Sequence, residues 1–159
     1  GRLSGAALSG LLRCARPALQ SLTLVDVPDV PLAALARQCN LRSLRLRGTL
    51  TAPCIEALSS CPSLEVLRLP LRVKVVEAPF ICLFTRCRSL RVVDIYGAVD
   101  VSDQILACIM LHNKCLEEFD ASHDGGGGFS QCLSAPMVYA FRTHFSQMRR
   151  VRINNLVKD

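Results

Sequence analysis

Residues 61–69 read Cys-Pro-Ser-Leu-Glu-Val-Leu-Arg-Leu, and residues 87–95 read Cys-Arg-Ser-Leu-Arg-Val-Val-Asp-Ile. Both follow one template: a cysteine, then apolar residues three, six and eight positions later. The last two apolar positions are two residues apart, the period of a strand that buries one face. Searching outward for that core, L-x-x-L-x-L, finds it at Leu19–Leu24, Leu41–Leu46, Leu64–Leu69, Leu90–Ile95, Leu116–Ala121 and Met148–Ile153. The steps between copies are 22, 23, 26, 26 and 32 residues. Six copies at such steps make this a repeat protein, in which strands too short to stand alone stack in parallel and join their apolar positions into one core.

Parallel strands need crossovers, and the intervening segments carry helix starts. Pro31, Pro53, Pro79 and Pro136 each precede a short apolar-periodic run, and proline is favoured at the first helical position. The crossover after the fourth strand starts instead with Val101-Ser102-Asp103, an N-cap residue followed by an acid that suits the helix dipole. Helices are expected over 32–38, 54–60, 80–86, 103–112 and 137–145, with an incomplete one over 3–13. Cysteine closes most of them: Cys61 and Cys87 as C-x-x-L, with Cys39 and Cys115 closer to their strands. A small buried residue suits the corner where helix turns into strand.

These residues resemble the leucine-rich repeat superfamily, in particular its cysteine-containing, ribonuclease-inhibitor-like and F-box-protein-type repeats. Val101-Ser102-Asp103 is similar to that family's hydrophobic-Thr/Ser-Asp helix start. The resemblance implies an α/β horseshoe solenoid of about six repeats, strands on the concave face and helices on the convex face. One domain is expected over 1–159, as a segment of a longer stack. The family often places Asn or Cys two residues past the strand motif; Val27, Thr49, Arg72, Ala98, Asp124 and Leu156 stand there instead, so irregular turns are expected. Nothing in the chain resembles an F-box.

Composition narrows the function. The 159 residues are half apolar and one fifth charged, enough for one ordinary core, and the longest uncharged apolar run, 105–111, is far short of a membrane span. The nine cysteines are odd in number and include no CxxC or Cys2His2 spacing, so reduced structural thiols in an intracellular reducing compartment are expected rather than disulfides or zinc. Residues 1–25 contain no acid and hold Arg2, Arg13 and Arg16. A transit peptide has that composition, but Leu19, Leu22 and Leu24 fit the repeat and favour folded structure. His112, His123 and His144 lie in different crossovers, and no nucleophile–base arrangement is legible, so no catalytic residue, metal or cofactor is expected.

Binding chemistry is expected on the outward positions of the strands: Arg42, Arg45 and Arg47, then Arg68, then Arg91, Asp94 and Tyr96, then Glu117, Glu118 and Asp120, then Arg149, Arg150 and Arg152. One column should run Thr23, Arg45, Arg68, Asp94, Asp120, Arg152, with neighbours about 4.8 Å apart. Like charges at that spacing repel by about 1 kcal/mol in water and about 3.5 kcal/mol at an effective dielectric of 20. The column reads either as a self-satisfied surface ladder or as a docking strip with an acidic centre and basic flanks. A Gly-rich insertion over 123–130, holding His123 and Phe129, reads as a flexible loop or a partner contact; its four glycines lack the Lys of a phosphate loop. The function expected is non-catalytic protein binding, most simply as a structural subunit of a larger assembly. The first alternative is the substrate-recognition solenoid of an F-box-type ubiquitin ligase. The second is nucleic-acid association, encouraged by the net charge of +6 but opposed by the acidic fifth copy and the scarcity of stacking aromatics.

Overall fold

The computed structural model describes Cys14 and residues 19–25, 40–47, 52–69, 76–97, 101–122 and 133–153. Each copy of the repeat supplies one strand: β1 Ser21–Val25, β2 Ser43–Arg47, β3 Val66–Arg68, β4 Val92–Asp94, β5 Glu118–Ala121 and β6 Arg150–Ile153. They form a single parallel sheet in the order β1-β2-β3-β4-β5-β6. The central apolar residues stand in register, Leu22–Leu44–Leu67–Val93–Phe119–Val151. This is the alignment the repeat demands, because a slip of one residue would turn every buried side chain to the other face.

Four helices are described: α1 Ala52–Leu58, α2 Glu77–Arg86, α3 Asp103–His112 and α4 Ala135–His144. Consecutive helices pack on one another, α1 on α2, α2 on α3 and α3 on α4. The helix over 103–112 falls where the sequence places it, and the other three start two or three residues earlier than expected. The prolines account for the difference. Pro53 and Pro136 are second residues of their helices and Pro79 is a third; these positions also lack an intrahelical acceptor for their N–H, so proline tolerates them as well as the first.

Two helix starts are joined across the fold. Ser102 and Ser134 are the N-caps of α3 and α4, accepting from the N–H of Ile105 and Met137. The same hydroxyls bond to the preceding repeat. Ser134 Oγ donates to Asp103 Oδ2 at 2.6 Å and its N–H to Asp103 Oδ1 at 2.8 Å, while Ser102 Oγ donates to Glu77. An acid in the first turn of one helix therefore anchors the cap of the next.

The core lies between helices and sheet. Leu41, Leu44, Leu64, Leu67, Leu90 and Phe119 meet Ile55, Leu58, Phe80, Leu83, Phe84, Ile105, Leu106, Ile109 and Phe141 there, all at 0–1% exposure. Each such aliphatic or phenyl side chain contributes about 1.5–3 kcal/mol of burial free energy. Toward the last copies the core becomes aromatic, with Phe141 of α4 5.0 Å from Phe119 of β5 and 4.9 Å from Phe145 at the end of α4.

The helix–strand corners carry a second ladder. The Cys87 thiol donates to the carbonyls of Cys61 (3.2 Å) and Leu58 (3.5 Å), and Asn113 Nδ2 donates to the carbonyl of Cys87 at 2.8 Å. Cys61 and Cys87 are buried as expected, but Cys115 is exposed. Asn113, fully buried, takes the corner of the fifth copy, and Phe145 that of the sixth. Reading the corner as a cysteine position missed this because the slot asks for a buried side chain rather than for sulfur; in the fourth and fifth copies that side chain also donates to the backbone of the copy before. Cys14, Cys54, Cys61, Cys82, Cys87, Cys108 and Cys115 are all in the thiol form. No described helix is long and apolar enough to cross a membrane. The helices expected over 3–13 and 32–38, Cys39, the six turn positions from Val27 to Leu156, and the Gly-rich insertion with His123 and Phe129 lie outside the described residues.

Candidate functional site: the open face of the sheet

Along every strand the residues between the core leucines face away from the helices. In β2, Leu44 and Leu46 are buried while Arg45 and Arg47 are exposed. The register sets Thr23, Arg45, Arg68, Asp94, Asp120 and Arg152 side by side, the expected column. Its contacts are uneven. Arg68 stands 3.9 Å from Asp94, and Arg152 stands 3.9 Å from Asp120. The closer cation at Asp120 is Arg150, whose guanidinium donates at 2.8 Å from the neighbouring column. The sequence had set Arg152 against Asp120. A long arginine side chain reaches diagonally across a sheet, which a column-by-column reading cannot show.

A second column, just ahead of the strands, runs Gln20, Arg42, Glu65, Arg91, Glu117, Arg149. It is stitched by backbone bonds, each N–H from residue 42 onward donating to the carbonyl of the residue before it in the column at 2.7–2.9 Å. Its charges alternate without exception from Arg42 to Arg149. Arg42 donates to Glu65 at 2.9 Å. Arg91 places Nε 2.8 Å from Glu117 Oε1 and a second guanidinium nitrogen on the same oxygen, and Arg149 lies 4.0 Å from the other oxygen. Hydrogen bonding and proximity to Arg91, with Arg149 behind it, hold the Glu117 carboxyl below the usual carboxylate range. Glu117 in turn holds the Arg91 guanidinium above its ordinary value. The alternation was present in the sequence as the residue after the first leucine of each copy, and its regularity was the signal.

The acids also have local work. Asp94 Oδ1 accepts the N–H of Tyr96 at 3.2 Å, and Asp120 Oδ1 accepts the N–H of Ser122 at 3.1 Å. In both strands the carboxylate closes a turn on the backbone two residues on. After Tyr96 the chain passes through Gly97 at φ 76°, a left-handed conformation that favours glycine. Asp120, at 7% exposure, is the most buried charged residue of the face, and the Ser122 hydroxyl also donates to it. Glu117 and Asp120 are thus engaged inside the molecule. Glu118 makes no ion pair with a described residue, and neither do Arg45 and Arg47.

His144 stacks edge-on to Phe145 and lies 3.4 Å from Lys114. The Cys87 thiol is pushed up to about 12, first by burial and then by its neighbours Cys61 and Cys82, so it is no nucleophile at neutral pH. Among the described residues no group of His, Cys, Asp or Glu is placed to hold a metal ion. Comparison of the chain with family models, with curated proteins and with solved structures found no match.

Proposed function

We propose that this chain is a non-catalytic protein-binding module, a leucine-rich repeat solenoid that docks a partner on its open sheet face and serves as a structural subunit of a larger assembly in a reducing compartment. The observation that carries the reading is the one-sided sheet: among the described residues, six parallel strands whose inward residues are buried or partly buried with the helices and whose outward residues, Asp120 apart, are exposed or half-buried. Parallel sheets are usually covered on both faces. A one-sided parallel sheet built from a repeat offers a long, fixed surface on which side chains from successive strands present a pattern. The internally satisfied ion pairs fit a surface that is rigid before it meets its partner, which reduces the ordering cost of binding, and the thiols fit a reducing compartment.

The test is purification of the tagged full-length protein from its native cells, with bulky substitutions on each side. Thr23→Arg and Glu118→Arg should release a stoichiometric partner, whereas Tyr139→Arg on the outside of α4 should retain it. Release by the helix substitution alone, or the absence of any stoichiometric partner, would overturn the reading. Recovery of a cullin-type ligase core through the open face would replace the structural-subunit role with substrate recognition.

A further inference from the structure

Charge on the open face is unevenly spent. β4, β5 and β6 with their leading residues carry Arg91, Arg149, Arg150 and Arg152 against Asp94, Glu117, Glu118 and Asp120, so they balance. β2 and β3 carry Arg42, Arg45, Arg47 and Arg68 against Glu65 alone. The entire positive excess of the described face therefore sits on two adjacent strands. Of these arginines, Arg42 is bonded to Glu65 at 2.9 Å and Arg68 reaches Asp94 only at 3.9 Å. Arg45 and Arg47, both exposed, have no carboxylate among the described residues. Arg45 and Arg68 are register partners on neighbouring strands, so two like-charged side chains rise side by side from backbones about 4.8 Å apart. Folding alone gains nothing from that repulsion, and a bound carboxylate between them would relieve it.

Beside this basic pair the face turns apolar. Val66 and Val92 are register partners in the neighbouring outward column and are half-buried.

We propose that β2 and β3 bind an acidic segment of a partner protein, its carboxylates on Arg45, Arg47 and Arg68 and its apolar residues over Val66 and Val92. This rests on the reading of the open face as a docking surface and adds the chemistry of the occupant. A nucleic acid fits less well. Its phosphates recur along its whole length, whereas the unmatched arginines span two strands and the next strands present carboxylates.

The probe is a fluorescein-labelled peptide with a run of Asp and Glu followed by Val and Leu, titrated with the full chain and read by fluorescence anisotropy. Binding is expected at low salt, weakening as salt rises. Arg45→Glu with Arg47→Glu should weaken it by about tenfold or more, while the equal charge change of Arg86→Glu with Arg142→Glu on the helices should alter it by less than about twofold. A peptide with Lys in place of the acids should bind the Arg45→Glu, Arg47→Glu chain in preference to the original. A thermal melt checks that this variant folds; if it does not, Arg45→Gln with Arg47→Gln takes its place, since exposed glutamines burden the fold least. No peptide binding, indifference to residues 45 and 47, or displacement of the peptide by a single-stranded oligonucleotide of equal charge would overturn the proposal. Should Thr23→Arg and Glu118→Arg still release the native partner, the docking reading survives that failure; should they not, both fall.

Discussion

Asn113 donates through Nδ2 to the carbonyl of Cys87 at 2.8 Å, standing one repeat later where the Cys87 thiol itself stands against the carbonyl of Cys61. An amide and a thiol thus fill the same structural slot. Asn113→Ala should cost about 1–3 kcal/mol, because it leaves a buried carbonyl without its donor. Asn113→Cys should recover part of that loss. Chemical denaturation of the three chains checks both; equal stability of the Ala and Cys variants would show that the donor is irrelevant.

The raised pKa of Cys87 makes stability depend on pH at the alkaline end. Its folded value, about 12, lies above that of an unfolded thiol, near about 8.5. The contribution is intact below the unfolded value and is lost as pH rises from there toward the folded one, at up to about 1.4 kcal/mol per unit. Cys87→Ser keeps a donor and removes the titration. Melting temperatures across the alkaline range should fall more steeply for the original chain than for this variant.

Glu117 predicts the opposite dependence. Its carboxyl is held below the usual range, so the pairing with Arg91 is present at neutral pH and is lost as pH falls through that depressed value. Glu117→Gln should melt slightly below the original chain at neutral pH, and the gap should close in acid. The effect should be small, since Arg91 is exposed and Glu117 is only partly buried.

Asp120 should matter more than Glu117. It is buried, bonded to Ser122 and paired with Arg150. Asp120→Ala should destabilise by about 1–3 kcal/mol, and Asp120→Asn by less, because the amide oxygen keeps the backbone bond to Ser122. Equilibrium unfolding of both variants distinguishes the two contributions.

Thiol reactivity is the last test. Cys14 and Cys115 are exposed, whereas Cys54, Cys61 and Cys87 are buried. Brief alkylation of the native protein, followed by mass spectrometry, should label the first pair well before the other three.

The strands, their order and the register of the open face were legible because one constraint, a buried leucine at fixed intervals, acts identically in every copy. Where a copy departs from the template, the sequence was ambiguous. Cys115 looked like the fifth corner because it is a cysteine near the right place, yet the spacing Asn113-x-x-Leu116 marks Asn113. The helix starts were displaced because proline reports the first turn rather than the first residue. On the open face, the position of each charge was legible but its partner was not. Arg150 reaches Asp120 by the length and direction of its side chain, which depend on what its neighbours leave vacant.

In the sheet every strand bonds only to the strands before and after it in the chain, and the corner bonds and the cap bonds likewise join adjacent copies. On the proposed solenoid reading the fold is then energetically one-dimensional. Its stability is a sum over copies and the junctions between them, and assembly can begin at any strong junction and spread to either side. Damage at one junction, such as loss of the Asn113 bond, should then open the chain locally, with the fourth and fifth copies parting while the Leu-rich copies before them stay folded. Amide exchange would show this as graded protection along the chain rather than a single cooperative value.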